Sequence, residues 1–514
     1  MRQRYTRERG QTPNGGVDAS VTVLSSSSGE AAASGRRDTR VVASTATAVP
    51  AQAPPAHTKA ARRLVLPLAL AQFICSFAGS NMNVMISDIS QDLNTTVQGV
   101  QITITLFLVI MAVLMIPCSK LTDRWGRKRC FMLGLGLYGI GALLSAVAPG
   151  LPILILGNSV LEGVGTAFLI PPVYILATIW FRDFTARAWA FGAISGMGGI
   201  GSAAGPLIGG VITTGISWRA AFIFQAAVIV LIILLSRGMA DPLAAEPGRP
   251  FDMIGAVLSA VGMFCVVLGV LYAGTHNILM VLLLVLGAAF LAGFFVYIRA
   301  RERAGKEPLL STDLFRNRTC NLALVTQNVQ WLVLMGTSFV VSVFLQDVKG
   351  YSAIRTGVIF TAATVGVLLS SFGAQRFAKR RKQRTLVVAG FVLVIVGIVT
   401  LLALAPVTKS IWSFVPSLFL IGFGTGVMLT PSVNIVQSSF PEAQQGEISG
   451  LSRSVSNLGS SFGTAIAGTI LISVVAEGNR SYVIALASVA LIGLIGLGAA
   501  LMLPRDAGKA ATVE

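Results

Sequence analysis

The sequence predicts an all-α integral membrane protein with fourteen transmembrane helices, and three observations carry the prediction. Of 514 residues, 54% are hydrophobic and only 12% are charged, about half the charged share of a soluble domain. A water-soluble chain of this length needs more charge to cover its surface, whereas a lipid-facing exterior does not. From Leu64 onward, apolar stretches of about 20 residues alternate with short polar breaks, each long enough to cross a hydrocarbon core of roughly 30 Å. Basic residues concentrate in alternate breaks. The net charge of +18 therefore reads as membrane topology and excludes a nucleic-acid surface.

The elements follow in order. Residues 1–62 form a polar Ser/Ala/Pro/Arg-rich tail with runs such as Ser25 to Ser28 and Ala51 to Pro55. Without sustained periodicity the tail is expected to be disordered, either touching anionic lipid or a partner or serving as a spare extension. No apolar signal-peptide core precedes the first span, so no cleavage is expected. The spans are placed at 65–88, 99–119, 130–148, 152–180, 188–213, 218–237, 253–273, 278–298, 320–346, 353–375, 385–405, 411–435, 447–475 and 481–503. Residues 504–514 form a second short tail.

Orientation comes from three basic breaks. Residues 120–129 carry Lys120, Arg124, Arg127, Lys128 and Arg129, and residues 299–318 carry Arg299, Arg301, Arg303, Lys306, Arg316 and Arg318. Residues 376–384 carry Arg376, Lys379, Arg380, Arg381, Lys382 and Arg384. All three follow even-numbered spans, which places both termini in the cytoplasm of a plasma- or inner-membrane protein. The chain also repeats itself: Gly163, Gly165, Thr166, Pro172 and Phe181 recur as Gly422, Gly424, Thr425, Pro431 and Phe440. In the next span Gly192, Gly201, Gly205 and Gly210 recur as Gly450, Gly459, Gly463 and Gly468. An even number of spans separates the copies, so they run in the same direction, as in transporters built of two halves around a central site.

Two segments carry motifs. Between spans 2 and 3 stands Leu121-Thr-Asp123-Arg124-Trp-Gly126-Arg127-Lys128-Arg129, read as a tight turn at Gly126 with an acid able to meet a helix N-terminus. Span 5 carries Gly192, Gly201, Gly205-Pro206 and Gly209-Gly210. Small residues at this spacing let helices approach closely, and Pro206 permits a bend. Together the two segments resemble the major facilitator superfamily. The first is similar to its loop 2–3 signature, with Ser119 in place of the first Gly, and the second to its antiporter signature at every glycine and the proline. Fourteen spans resemble the drug:H⁺ antiporter branch.

The resemblance implies two six-helix bundles, at 63–237 and 320–503, joined by residues 238–319, which hold the inserted spans 7 and 8 and a cytoplasmic linker. It implies that Asp123 helps to close the cytoplasmic side by docking on the second half, with Arg124 and Arg127 as partners; the repeat, which makes span 13 the counterpart of span 5, points to its N-terminal end around Gly446 to Ser449. The chain departs from the branch in two places. Ala78 stands where span 1 usually has an Asp, and Ser159 and Glu162 stand where span 4 usually has an Arg and a Gln.

Ionisable residues inside spans are few. Glu162 lies about eleven residues from the outer end of span 4, roughly 16 Å deep at 1.5 Å per residue, and Arg453 is the one basic residue well inside a span. Groups at such depth are costly and are functional candidates by default. Glu162 is read as a proton carrier or cation counter-charge, or else as a structurally paired carboxyl; Arg453 is open between function and structure. Gln72, Ser76, Gly79 and Asn83 fall on one helical stripe of span 1. Span 9 offers Asn321, Gln327, Asn328, Gln330 and Trp331, and Asn158 stands one turn from Glu162. These polar residues line a central cavity or hydrogen-bond between helices.

The five cysteines and the histidines His57 and His276 have no metal-ligand or disulfide spacing. No catalytic constellation and no phosphate-loop lysine motif is present, so neither an enzyme nor an ATP-driven pump is expected. The expected function is a monomeric secondary exporter of amphipathic or cationic small molecules, without cofactor and driven by the proton gradient. The alternatives are a lipid or lipid-like metabolite transporter and, from another class, a non-transporting receptor.

Overall fold

The computed structural model describes residues 58–181, 184–241, 245–248, 250–273, 276–378, 382–404, 412, 414–440, 444–473, 480–505 and 507. Its long helices are α1 Lys59–Asn81, α2 Val97–Trp125, α3 Arg127–Ala146, α4 Leu151–Trp180, α5 Phe184–Gly215, α6 Trp218–Ser236 and α7 Met253–Leu271. They continue with α8 Asn277–Arg303, α9 Arg318–Val348, α10 Ala353–Ala378, α11 Gln383–Leu404, α12 Phe414–Ser438, α13 Gln445–Ser473 and α14 Arg480–Met502. Each coincides with one predicted span. Twelve of them, among the described residues, are long and apolar enough to cross a bilayer alone. Helix α5 makes a thirteenth when its two arms, bent by 44° between Ser202 and Ala204, count as one span. The bend has a cause: Pro206 has no N–H for the Ser202 carbonyl and crowds it. Helix α13 is as long as the others but carries Glu447, Arg453 and a run of serines, and it is enclosed by α2, α7 and α9.

Boundaries differ from the sequence reading in three places. Span 1 stops at Asn81, not at 88, and is followed by a 3-10 turn, Met82–Val84, and a short helix, Ile86–Asp92. The backbone groups freed there are taken up from the second half: Gln346 donates its Nε2 to the Asn83 carbonyl at 2.9 Å and accepts the Ser87 N–H at 3.2 Å. The tail expected to end at 62 gives up its last residues to α1, which Thr58 caps by accepting the Ala61 N–H at 3.2 Å. Residues 1–57 lie outside the described residues. Finally, α2 runs on to Trp125, so half of the loop 2–3 motif is helical and the turn narrows to Gly126.

Packing follows the repeat. Helix α1 lies on α5, and α3 on α4 and α6; correspondingly α9 lies on α13, and α11 on α12 and α14. The repeated glycines make these contacts possible. A Cβ on Gly201 or Gly459 would run into the carbonyl of Phe73 on α1 or of Asn328 on α9, and one on Gly165 or Gly424 into the backbone of Gly134 or Gly390. The two halves meet along α2–α13 and α5–α10. Helix α7 packs on α2 and α13, while α8 packs mainly on α7 and leaves Ile278, Leu282, Val285 and Val296 exposed, as a lipid-facing helix does.

Candidate functional site

Between the halves lies a cleft walled by α1, α2, α4, α5, α9 and α13. Its lining mixes apolar side chains, with Met111 and Met115 on α2 and Met335 and Trp331 on α9, with hydroxyl and amide groups, with Ser456, Asn457 and Ser460 on α13 and Gln72 and Ser76 on α1. Arg453 is the charged residue among the described lining residues. Its guanidinium carbon stands 4.5 Å over the Tyr174 ring of α4, and the guanidinium donates to the Tyr174 hydroxyl. That hydroxyl donates in turn to Gln72 Oε1 at 3.1 Å, and Gln72 Nε2 donates to Ser76 Oγ at 3.1 Å. A chain of polar groups thus crosses from the second half to the first along one side of the cleft.

Glu162 lies behind the cleft wall, not on it. It ends a stretch of widened π-helical turns, Ile155–Glu162, and is fully buried. Such turns recur at functional sites, where they re-aim a side chain. Here the carboxyl turns toward α3, whose bare Gly141 makes room: a Cβ there would stand 2.9 Å from Glu162 Cγ. Asn158 donates its Nδ2 to Glu162 Oε2 at 3.4 Å, while Oε1 has no hydrogen-bond partner among the described residues. Tyr138 and Ser145 of α3 lie beside it, and Cys75, which lines the cleft, is the near neighbour on α1. Tyr138 also donates to Gln225 Oε1 on α6 at 2.5 Å. The acid is therefore one wall's thickness from the cleft, inside a polar pocket of the first half.

At the end carrying the basic loops the chain turns on Gly126 with φ 96°, a conformation that strains any side chain. The acid at the start of α3 is Asp241, from the segment after α6: its Oδ2 accepts the Lys128 N–H at 3.1 Å and meets the positive end of the helix. Asp123 holds Arg127, Oδ1 to Nη2 at 2.8 Å, with the arginine side chain only 6% exposed. Arg124 sits on the last turn of α2. Lys120 reaches the first turn of α13, with its Nζ 2.5 Å from Glu447 Oε1 and 3.2 Å from Glu307 Oε1. Glu447 also accepts the Ser311 N–H at 3.3 Å. The linker after α8 is thus tied to the contact between halves. Deeper in, Ser454 donates to the Ala112 carbonyl at 2.6 Å, and Gly450 leaves room for Ser119.

At the opposite end Gly210 of α5 backs onto the Ala353 carbonyl of α10, Thr214 Oγ1 accepts the Ile354 N–H at 3.0 Å, and Gln101 donates to the Thr464 carbonyl at 3.3 Å.

Of the predicted cavity residues, Gln72, Trp331 and Arg453 line the cleft together with Ser76 and Gly79. The others lie elsewhere. Asn83 falls beyond the end of α1, at the seam with Gln346. Asn158 accompanies Glu162. Gln327 accepts from Ser452 at 2.9 Å and Asn328 donates to the Val455 carbonyl at 2.8 Å, so both serve the α9–α13 packing seam. The antiporter-motif glycines are packing positions: Gly201, Gly205 and Gly209 face α1, Gly210 faces α10, and the Pro206 carbonyl fits against Gly357; Gly192 stands earlier on α5. Tyr174 was absent from the sequence candidates because one hydroxyl in an apolar span carries no pattern. The serines of α13 were legible: Ser452, Ser456 and Ser460 recur every four residues beside Arg453.

The family model described as Major Facilitator Superfamily matches residues 68–464. The chain is 28% identical to the puromycin resistance protein pur8 of Streptomyces alboniger over 79% of this chain and 81% of that one. It is 29% identical to the multidrug efflux pump LfrA of Mycolicibacterium smegmatis over 71% of this chain and 72% of that one. Among solved structures, the peptide transporter POT in complex with sulfate superposes with a TM-score of 0.64 at 16% identity, covering 89% of this chain and 98% of that one. This last likeness is one of fold.

Proposed function

The chain belongs to the major facilitator superfamily and is a membrane transporter, and on that premise we propose that it exports amphipathic small molecules by alternating access, driven by the proton gradient through Glu162. The observation that carries the reading is the cleft between the halves, whose described lining holds three methionines, six hydroxyl or amide side chains and one fixed charge. Polar groups set among adaptable thioethers suit molecules that have both an apolar body and a polar end. The names of the relatives, for puromycin resistance and multidrug efflux, support export of such compounds. The basic loops would face the cytoplasm, with both termini, and the protein would work as a monomer without cofactor. The same sparse charge suits an acyl chain, so a lipid or lipid-like metabolite is the second reading.

The coupling step rests on Glu162. A proton taken from the outer side neutralises Glu162, the one carboxyl buried among the described residues of the first half, and its release to the inner side restores the charge. Either change alters what Asn158, Tyr138 and Ser145 must satisfy next to Cys75 on the cleft wall. Proteoliposomes with an imposed pH gradient test this. Glu162→Gln is expected to abolish gradient-driven movement of an amphipathic dye while leaving dye binding intact; undiminished movement sinks the role of Glu162. Movement of a fluorescent lipid without movement of dyes favours the second reading.

A further inference from the structure

We propose that the cleft selects substrates bearing an acidic or strongly hydrogen-bond-accepting end, and that this end binds Arg453 in place of the Tyr174 hydroxyl. The inference rests on the reading of the cleft as the transport site and narrows its substrate class. Three observations meet there. Arg453 is the charged residue among the described lining residues, no carboxylate lines the cleft with it, and no ion pair to it is found among the described residues. An arginine offers five N–H donors in a flat fork, of which the Tyr174 hydroxyl takes one direction. A neutral phenol is a weak partner for a guanidinium; a carboxylate, phenolate or phosphate makes a charge-assisted and often bidentate pair.

The surroundings fit the same ligand. On the same helix as Arg453, Ser456, Asn457 and Ser460 supply further polar groups to the cleft, and Met111, Met115 and Met335 add adaptable apolar surface to its lining. An unneutralised cation set between low-dielectric walls repels a cationic ligand and draws an anionic one, because such walls focus its field.

Tyr174 gives the site a second property. Arg453 belongs to the second half, while Tyr174 and its acceptor Gln72 belong to the first. A ligand that takes the guanidinium therefore replaces a bond between the halves with a bond to itself. The ring beneath the guanidinium stays in place, so the arginine remains oriented.

The test is equilibrium binding of two dyes that share a xanthene core, anionic fluorescein and cationic rhodamine 6G, to the purified full chain, followed by polarisation. The wild type is expected to bind fluorescein about tenfold more tightly, and Arg453→Gln to bring the two dyes within about threefold of each other. Arg453→Lys should retain part of the preference, and Tyr174→Phe, which keeps the ring and removes the competing hydroxyl, should tighten fluorescein binding. Equal or tighter binding of rhodamine 6G by the wild type overturns the proposal. So does unchanged fluorescein affinity in Arg453→Gln, or in both Arg453→Lys and Tyr174→Phe if the glutamine variant does not fold. Proteoliposome transport is read separately: fluorescein binding at Arg453 without gradient-driven movement of any dye supports this site and counts against the exporter reading.

Discussion

At the residue scale, the buried carboxyl and the glycine opposite it form one unit. Glu162 occupies space that any side chain at position 141 would claim: a Cβ on Gly141 would lie 2.6 Å from the Gly157 carbonyl and 2.8 Å from the Glu162 backbone nitrogen. Neither backbone atom can swing away, so α3 and α4 would have to separate. Gly141→Ala is expected to cost about 1–3 kcal/mol, the usual range for overpacking. Gly136, on the same helix, has open space where its Cβ would be, and Gly136→Ala should be near neutral or slightly stabilising. Thermal unfolding of the two variants in detergent is the comparison to make; equal midpoints would show that the α3–α4 seam yields.

At the scale of elements, the repeated glycines make a paired prediction. Gly201 lies against the Phe73 carbonyl and Gly459 against the Asn328 carbonyl, in the same seam of the two halves. Gly201→Ala and Gly459→Ala should each destabilise the protein by about 1–3 kcal/mol, and because the two glycines meet different partners the double variant should show nearly the sum. Denaturation of the single and double variants reads this directly. A large departure from additivity would mean that the seams are coupled through α2–α13 or α5–α10. The sequence exposed these positions as an ordered set of matches, but their partners on α1 and α9 came only with the fold.

At the scale of the whole molecule, the contact between halves at the basic-loop end is a three-residue charge cluster. Lys120 sits between Glu447 and Glu307, with side chains 14%, 21% and 34% exposed. This joins α2, α13 and the linker that follows the inserted helices, so α7 and α8 are connected to any movement of the halves. Lys120→Gln leaves two carboxylates facing each other and should open this end. A pair of this exposure contributes about 1 kcal/mol, hence about a fivefold change in the closed population. Spectroscopic distances between labels on α2 and α13 at this end measure it, and Glu447→Gln added to Lys120→Gln should restore part of the closed fraction. No change in distance would leave the cluster a local surface feature. Asp123→Asn acts differently, because it strips Arg127 of the carboxylate it meets at 2.8 Å, and the expected outcome is a loss of stability with a smaller effect on closure.

The sequence by itself determined the class of protein, the number and order of the helices, the same-direction repeat, the turn at Gly126 and the place of Glu162 and Arg453 within their helices. All of these are local quantities: an apolar average over about 20 residues set against the thickness of a bilayer, a glycine where only glycine fits, a count of residues from a helix end. Only the tertiary structure decided which way the polar residues look. Residues 163–180 of α4 are apolar on nearly every face, so no periodicity there marks the side the helix buries, and whether Glu162 faced the cleft or α3 came only with the space at Gly141. The same holds for Tyr174, which acquires a role because α13 places a guanidinium over its ring, and for Lys120, whose carboxylate partners lie on α13 and in the linker after α8. A bilayer reads the chain one span at a time, whereas the site is made where spans distant in sequence meet.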